Sequence, residues 1–178
     1  MCPAGEIGWS GIVKDKRSVA VVHITKVERI KKKGLYSYFL PSRIGIDFYH
    51  RADYPHGSPY YTPNLELGDV ARLIRILELL KSDKTLNDLA SGKIEPFTIG
   101  LAFEKSLERR ITIGAKSLFK RVTFKYEAVH NGVPISIKYD FTREGIEKFI
   151  NVLKKVTIEY VNFILRYVLL DEIDPKFR

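Results

Sequence analysis

Lysines and arginines alternate with tyrosines along this chain in a pattern suited to gripping a polyanion that also exposes flat rings. The first half carries Lys31-Lys32-Lys33 ahead of Tyr36, Tyr38 and Phe39, then Arg43, Tyr49, Arg51, Tyr54, Tyr60 and Tyr61. The second carries Arg109, Arg110, Lys116, Phe119, Lys120, Arg121, Lys125 and Lys138. Phosphates seek Lys and Arg, and unpaired bases stack on aromatic side chains at about 1 to 3 kcal/mol per base. The two residue types on one surface therefore point to single-stranded DNA or RNA as ligand. Aromatic residues and Arg are also enriched at protein interfaces, so the competing reading is a non-catalytic interaction subunit of a nucleic-acid-processing complex. The structural alternatives are plain: tyrosines packing a core or seam, a solvated lysine loop, and Arg109-Arg110 guarding an exposed edge strand.

Other chemistries lack their residues. His23, His50, His56 and His130 are scattered, with no Cys or carboxylate at ligand spacing, so no metal site is expected. Gly8-Trp9-Ser10-Gly11 lacks the Lys-Ser/Thr ending of a phosphate-binding loop. Asp47, Asp53, Asp69 and Asp140 are spread over different elements and form no nuclease-like cluster. No catalytic residue and no cofactor is expected.

Thirty Lys and Arg against 21 Asp and Glu leave a net charge of +9, which favours anionic partners. With 45% apolar and 12% aromatic residues, the 178-residue chain has ample material for a core and is expected to form one domain. The single cysteine, Cys2, can form no internal disulfide, which suits a reducing, cytoplasmic setting. Pro3, Gly5, Glu6 and Gly8 interrupt any signal-peptide core, and the apolar stretch from Tyr160 to Leu170 is short of the roughly 20 residues of a membrane span. The absence of Gln beside abundant Lys, Glu and Arg leans toward a thermophilic source.

The elements that must position these residues occur twice. Without a gap, Ile46 falls on Val122, Phe48 on Phe124, Leu65 on Phe141, Val70 on Ile146, Leu73 on Phe149, Ile74 on Ile150 and Leu77 on Leu153, a constant offset of 76. That is too long for a solenoid unit and reads as a duplicated half, repeat one over 10–82 and repeat two over 94–171. In the first, Ile12 to Ile24 reads as a hairpin turning at Lys14-Asp15-Lys16-Arg17, Leu35–Leu40 as a strand stopped by Pro41, and Arg43–Arg51 as the next strand. The turn cluster Asp53–Pro59 then returns the chain at Tyr60-Tyr61. Val70, Leu73, Ile74, Leu77 and Leu80 form a helical stripe, and Leu86–Ala90 in the connection has the makings of a helical turn. In the second, Phe97–Phe103, Ile111–Ile113, Val122–Ala128 and Ile135–Phe141 alternate as strands, with Asn131-Gly132 as a tight turn. One face of this sheet is apolar and the other basic. Tyr49 and Arg51 are expected on the outward face, as are Arg121 and Lys125, whereas His50, which aligns with Tyr126, is expected inside.

Thr142 can cap the last helix, whose apolar pattern runs for roughly 28 residues against an average of about 11 to 12. One sheet cannot cover such a rod. The excess face, with Tyr160, Phe163, Ile164, Tyr167 and Val168, is expected to make a homo-oligomer contact, the alternative being packing against the other half's helix within the chain. The fold class is α+β: two antiparallel four-stranded sheets, each followed by a helix, in ββββα-ββββα order with pseudo-twofold symmetry.

Arg43 to Leu80 and Phe119 to Lys155 each resemble the last strands and helix of the single-stranded-DNA-binding unit of the transcriptional coactivator called positive cofactor four. The tandem arrangement is similar to the Whirly family of plant single-stranded-DNA-binding proteins. The family's Lys-Gly-Lys-Ala-Ala-Leu signature is absent; the nearest segments are Lys32-Lys33-Gly34-Leu35 and Gly114-Ala115-Lys116-Ser117-Leu118. The long final helix also resembles that of the crenarchaeal single-stranded-DNA-binding proteins that dimerise through it. Each resemblance implies an unpaired strand as ligand, in replication, repair or transcription.

Overall fold

The computed structural model describes residues 10–32, 36–57, 63–100, 110–116, 118 and 120–173, and for 10, 25–42, 100, 130 and 166–173 it describes the backbone. The elements are β1 (Ser10–Lys14), β2 (Ser18–Lys32), β3 (Tyr36–His50), β4 (Asn64–Leu65), α1 (Leu67–Leu79), α2 (Asp83–Ala90), β5 (Phe97–Gly100), β6 (Arg110–Lys116), β7 (Arg121–His130), β8 (Val133–Phe141) and α3 (Arg143–Ile173). They build two four-stranded antiparallel sheets, β1-β2-β3-β4 and β5-β6-β7-β8, each followed by a helix as expected. Local chemistry accounts for the turns. The Asp15 N–H donates to the Ser18 carbonyl at 3.0 Å to close the first hairpin. Asn131 and Gly132 take φ of 50° and 77°, the positive values that a two-residue hairpin turn requires.

The first repeat departs from expectation at Pro41. The two expected strands on either side of it are one strand, β3, in which Pro41 lies opposite Val27. Here β3 has β2 on one side and no described neighbour on the other, and such an edge tolerates a residue without an N–H. Nor does β2 end at Ile24: it runs on to Lys32 past a double irregularity at which Thr25 and Ser42 lack cross-strand partners. The expected return at Tyr60-Tyr61 lies outside the described residues. The strand that follows, β4, pairs Leu65 with Ile44, whereas its counterpart Phe141 pairs with Val122, the repeat mate of Ile46. The shift is two residues, so Leu65 keeps its place on the buried face.

The sheets and helices share one hydrophobic cluster. At its centre Phe48 and Phe124, equivalent positions of the two repeats, lie 5.4 Å apart between ring centroids; Phe149 stacks on Phe124 at 5.4 Å and Phe141 meets it edge-on. Helix α1 starts from a capping box formed by Glu66 and Asp69 and lies against β3 and β4 of its own sheet and β5 of the other. Its buried set is consequently broader than a single stripe: Ile76 joins Val70, Leu73 and Leu77, and Ile74 is half-buried. The connection holds a full two-turn helix, α2.

Helix α3 is capped as expected, the Gly145 N–H donating to Thr142 Oγ1 at 3.2 Å. The cap is completed from the other repeat, because Asp15 in the β1–β2 turn accepts from both the N–H and the hydroxyl of Thr142. The helix then crosses β1, β2 and β3 as well as β7 and β8. Gly11 of β1 lies directly beneath Val152, where a Cβ would collide. This crossing covers part of the rod expected to face another chain. Tyr160 is only 6% exposed and belongs to the core, Ile164 packs against it, and Phe163 is half-buried. The side chains of Tyr167 and Val168 lie outside the described set. Among the described residues, the large apolar side chains left in solvent on α3 are Ile158 and Leu165, seven residues apart and so on one helix face.

Candidate nucleic-acid interface

The outer face of the second sheet is a field of cations on short polar ground. Strand register lines up Thr98, Thr112, Lys125 and Lys138 across all four strands. Alternation places Arg110, Lys116 and Arg121 on the same face, with Gly114, Thr123 and Ser136 between them. Lys125 and Lys138 stand directly opposite each other, a like-charge pairing that destabilises a ladder. Two carboxylates temper the field. Glu127 binds Lys125 at 2.6 Å and Arg110 at 2.7 Å, and the hydrogen bond from Lys125, then that from Arg110, hold its carboxyl below the ordinary range. Burial opposes ionisation of Asp140, but hydrogen bonds from Lys116 at 2.9 Å and Thr123 at 2.7 Å outweigh it and its pKa is lowered as well. Among the described residues this face carries five Lys and Arg against two acids, and no aromatic ring. Arg110 is not on an edge strand, since β6 pairs with β5 on one side and β7 on the other.

The rings are on the first sheet. Tyr49, half-buried on the outer face of β3, meets Tyr54 of the following turn edge-on with centroids 5.3 Å apart. Lys14 Nζ lies 5.5 Å from the centre of the Tyr54 ring, a cation–π contact. Lys14, Val19 and Tyr49 form one cross-strand row, and beneath this cover Val19 is fully buried although it sits on the outer face. Burial first, then the charge of Asp47 and the neighbouring Tyr54, raise the pKa of Tyr49, so its phenol stays neutral. On the same face His23 Nε2 lies 3.1 Å from Asp47 Oδ2. Arg51 is exposed, and its N–H donates to the Arg17 carbonyl at 2.8 Å, extending the β2–β3 ladder. Arg43 is half-buried at the root of the long hairpin.

The remaining expected residues divide three ways. Lys31, Lys32, Tyr36 and Tyr38 lie on the far ends of β2 and β3, where the register sets Lys32 opposite Tyr36 and Lys31 opposite Ser37. Lys33, Arg109, Tyr60, Tyr61 and Phe119 lie outside the described residues. Lys120 is off the sheet face: it occupies the β6–β7 turn with a positive φ and reaches Asp83 at 3.6 Å. Arg143 also pairs with Asp83 and donates to the Lys81 carbonyl at 2.9 Å, so this cluster ties α2 to the start of α3. His50 is exposed rather than interior; it ends β3 and stacks on Tyr139 of the other repeat at 4.8 Å. Sequence reasoning passed over Lys14, because its role depends on Tyr54 folding back across a strand. Among the described residues no group of His, Cys, Asp and Glu could hold a metal ion, and no helix is long and apolar enough to cross a membrane.

No family model and no curated protein matches the chain. Solved structures do. The crystal structure of WHY3 from Arabidopsis thaliana is similar with a TM-score of 0.51 and 10% identity, over 93% of this chain and 95% of that one. That of WHY1 from the same plant is similar with a TM-score of 0.50 and 14% identity, over 93% and 96%. At such identity a likeness speaks for architecture, and it agrees with the doubled sheet-and-helix order: this chain has the Whirly fold.

Proposed function

We propose that the protein binds single-stranded nucleic acid, DNA in preference to RNA, without sequence preference, and that it serves replication, repair or transcription. The observation that carries the reading is the facing pair Lys125 and Lys138 within a five-cation sheet face. Lys138 is exposed beside Lys125, whose ammonium Glu127 holds, and a phosphate lying across the row meets both cations. The second sheet then supplies phosphate contacts, while Tyr49 and Tyr54 on the first offer rings for stacking. The Whirly fold, which the chain's doubled strand-and-helix pattern resembles and which belongs to single-stranded-DNA-binding proteins, supports DNA. Ile158 and Leu165 on α3 form the contact with a second copy, so Ile158→Glu with Leu165→Glu is expected to lower the mass seen in analytical ultracentrifugation.

Fluorescence anisotropy with a labelled oligothymidine and a matched duplex at two salt concentrations tests the ligand. The expected result is tighter binding of the unpaired strand that falls steeply with salt, since each phosphate contact releases counterions. Equal binding of duplex, or affinity indifferent to salt, would remove the reading.

A further inference from the structure

The β2–β3 hairpin is longer than the sheet it belongs to. Among the described residues β1 pairs with β2 as far as His23, and β4 pairs with β3 at Ile44 and Gly45. Beyond Thr25 and Ser42, the pairing among the described residues is between these two strands, from Lys26 opposite Arg43 to Lys32 opposite Tyr36. At about 3.3 Å per residue this ribbon extends on the order of 25 Å past the last shared row. Irregularities of the kind at its root bend and re-aim a strand. Its composition is that of a contact surface. Residues 25–42 hold five Lys and Arg, one Glu, and the rings of Tyr36, Tyr38 and Phe39. The register pairs Lys32 with Tyr36, Arg29 with Phe39 and Ile30 with Tyr38.

We propose that this ribbon is a second nucleic-acid contact, separate from the sheet faces, which engages additional nucleotides of a long unpaired strand. The proposal rests on the single-strand reading above and deepens it: the sheet faces hold a short strand, and the ribbon lengthens the site. A two-stranded ribbon also fits a major groove. Aromatic residues favour the unpaired strand instead, because its bases offer their faces.

Two variants test this. One replaces residues 27–42 by Asn-Gly, a two-residue turn that joins Lys26 to Arg43. The other keeps the ribbon and changes Lys31, Lys32, Tyr36 and Tyr38 to Ser. Oligothymidines from about 8 to about 30 nucleotides bracket the sites of roughly 4 to 16 nucleotides typical of such modules. Binding of each length is measured at several salt concentrations, with circular dichroism reporting the fold. Both variants are expected to bind the shortest strand as the native chain does and the longest about tenfold or more weakly, the loss of one or two stacked bases. The salt slope on the long strand falls by about 0.7 for each phosphate contact removed. Native-like affinity and slope at every length in both variants would overturn the proposal. So would an equal loss on the shortest strand, or a loss confined to a duplex probe. A native chain that binds no unpaired strand would instead sink the single-strand reading itself.

Discussion

Glu78 of α1 and Lys154 of α3 are repeat mates, 76 positions apart, and their side chains join at 3.0 Å. Phe48 and Phe124 are mates too, and their rings touch. Residues that contact their own counterparts lie on the pseudo-twofold axis, which therefore runs between the paired helices and through the aromatic centre of the core. In a symmetric dimer an axial position holds the same residue twice, so a charge there would face itself. Joining the halves in one chain lets the positions diverge, and here one became Glu and the other Lys.

The aromatic contact on that axis is expected to hold the halves together. Phe124→Ala should cost about 3 to 5 kcal/mol in urea unfolding. A double-mutant cycle with Phe48→Ala should return a coupling of about 0.5 to 1.5 kcal/mol. Strict additivity would mean the rings are neighbours without a joint contribution.

Gly145 tests the cap shared between repeats. In an ordinary helix Gly→Ala stabilises by about 1 kcal/mol, but a Cβ here would strike the Asp15 carboxylate that serves Thr142. Gly145→Ala should therefore lower the melting temperature. Asp15→Ala alone should lose about 1 kcal/mol of capping. Once Asp15 is gone, Gly145→Ala should become neutral or stabilising, a reversal of sign that thermal melts of the single and double variants can read.

On the second sheet, Lys125→Ala with Lys138→Ala should weaken oligothymidine binding and reduce the salt slope by about 0.7 per lost phosphate contact. Glu127→Gln should act in the opposite direction, because it releases Lys125 and Arg110 from their ion pairs. Anisotropy titrations across a salt series check both.

Tyr49→Ala and Tyr54→Ala should each weaken binding by about 1 to 3 kcal/mol while leaving the salt slope intact, and Phe at either position should restore most of it, since stacking needs the ring and not the hydroxyl. Loss of affinity together with slope would assign the tyrosines to supporting a cation such as Lys14 instead.

Glu127 and Asp140 have carboxyl groups held below their usual pKa in the folded state. Their contribution is present above the unfolded carboxylate range near 4 and is lost as pH falls through the lower folded values. Asp140→Asn should therefore flatten the acid limb of stability against pH, measured by denaturant midpoint at pH 3 to 7.

Much of this architecture was legible residue by residue. The alternation of Val122, Phe124, Tyr126 and Ala128, the Asn131-Gly132 turn and the Thr142 cap are consequences of local periodicity and turn chemistry, which neighbours in sequence settle among themselves, and the offset of 76 is a match of one half's pattern to the other's. The outward placement of Lys125 and Arg121 followed from the same period of two. Tertiary structure decided what depends on distant surfaces meeting. Pro41 lies within a strand because β3 has an open edge there, and Leu65 slid two residues without leaving the core. Tyr160 went inward because α3 also crosses the first sheet, and Lys120 was drawn off to Asp83 by the connection between repeats. A residue's type and period specify which side it turns to, but only the packing of the two halves settles whether that side meets solvent or protein.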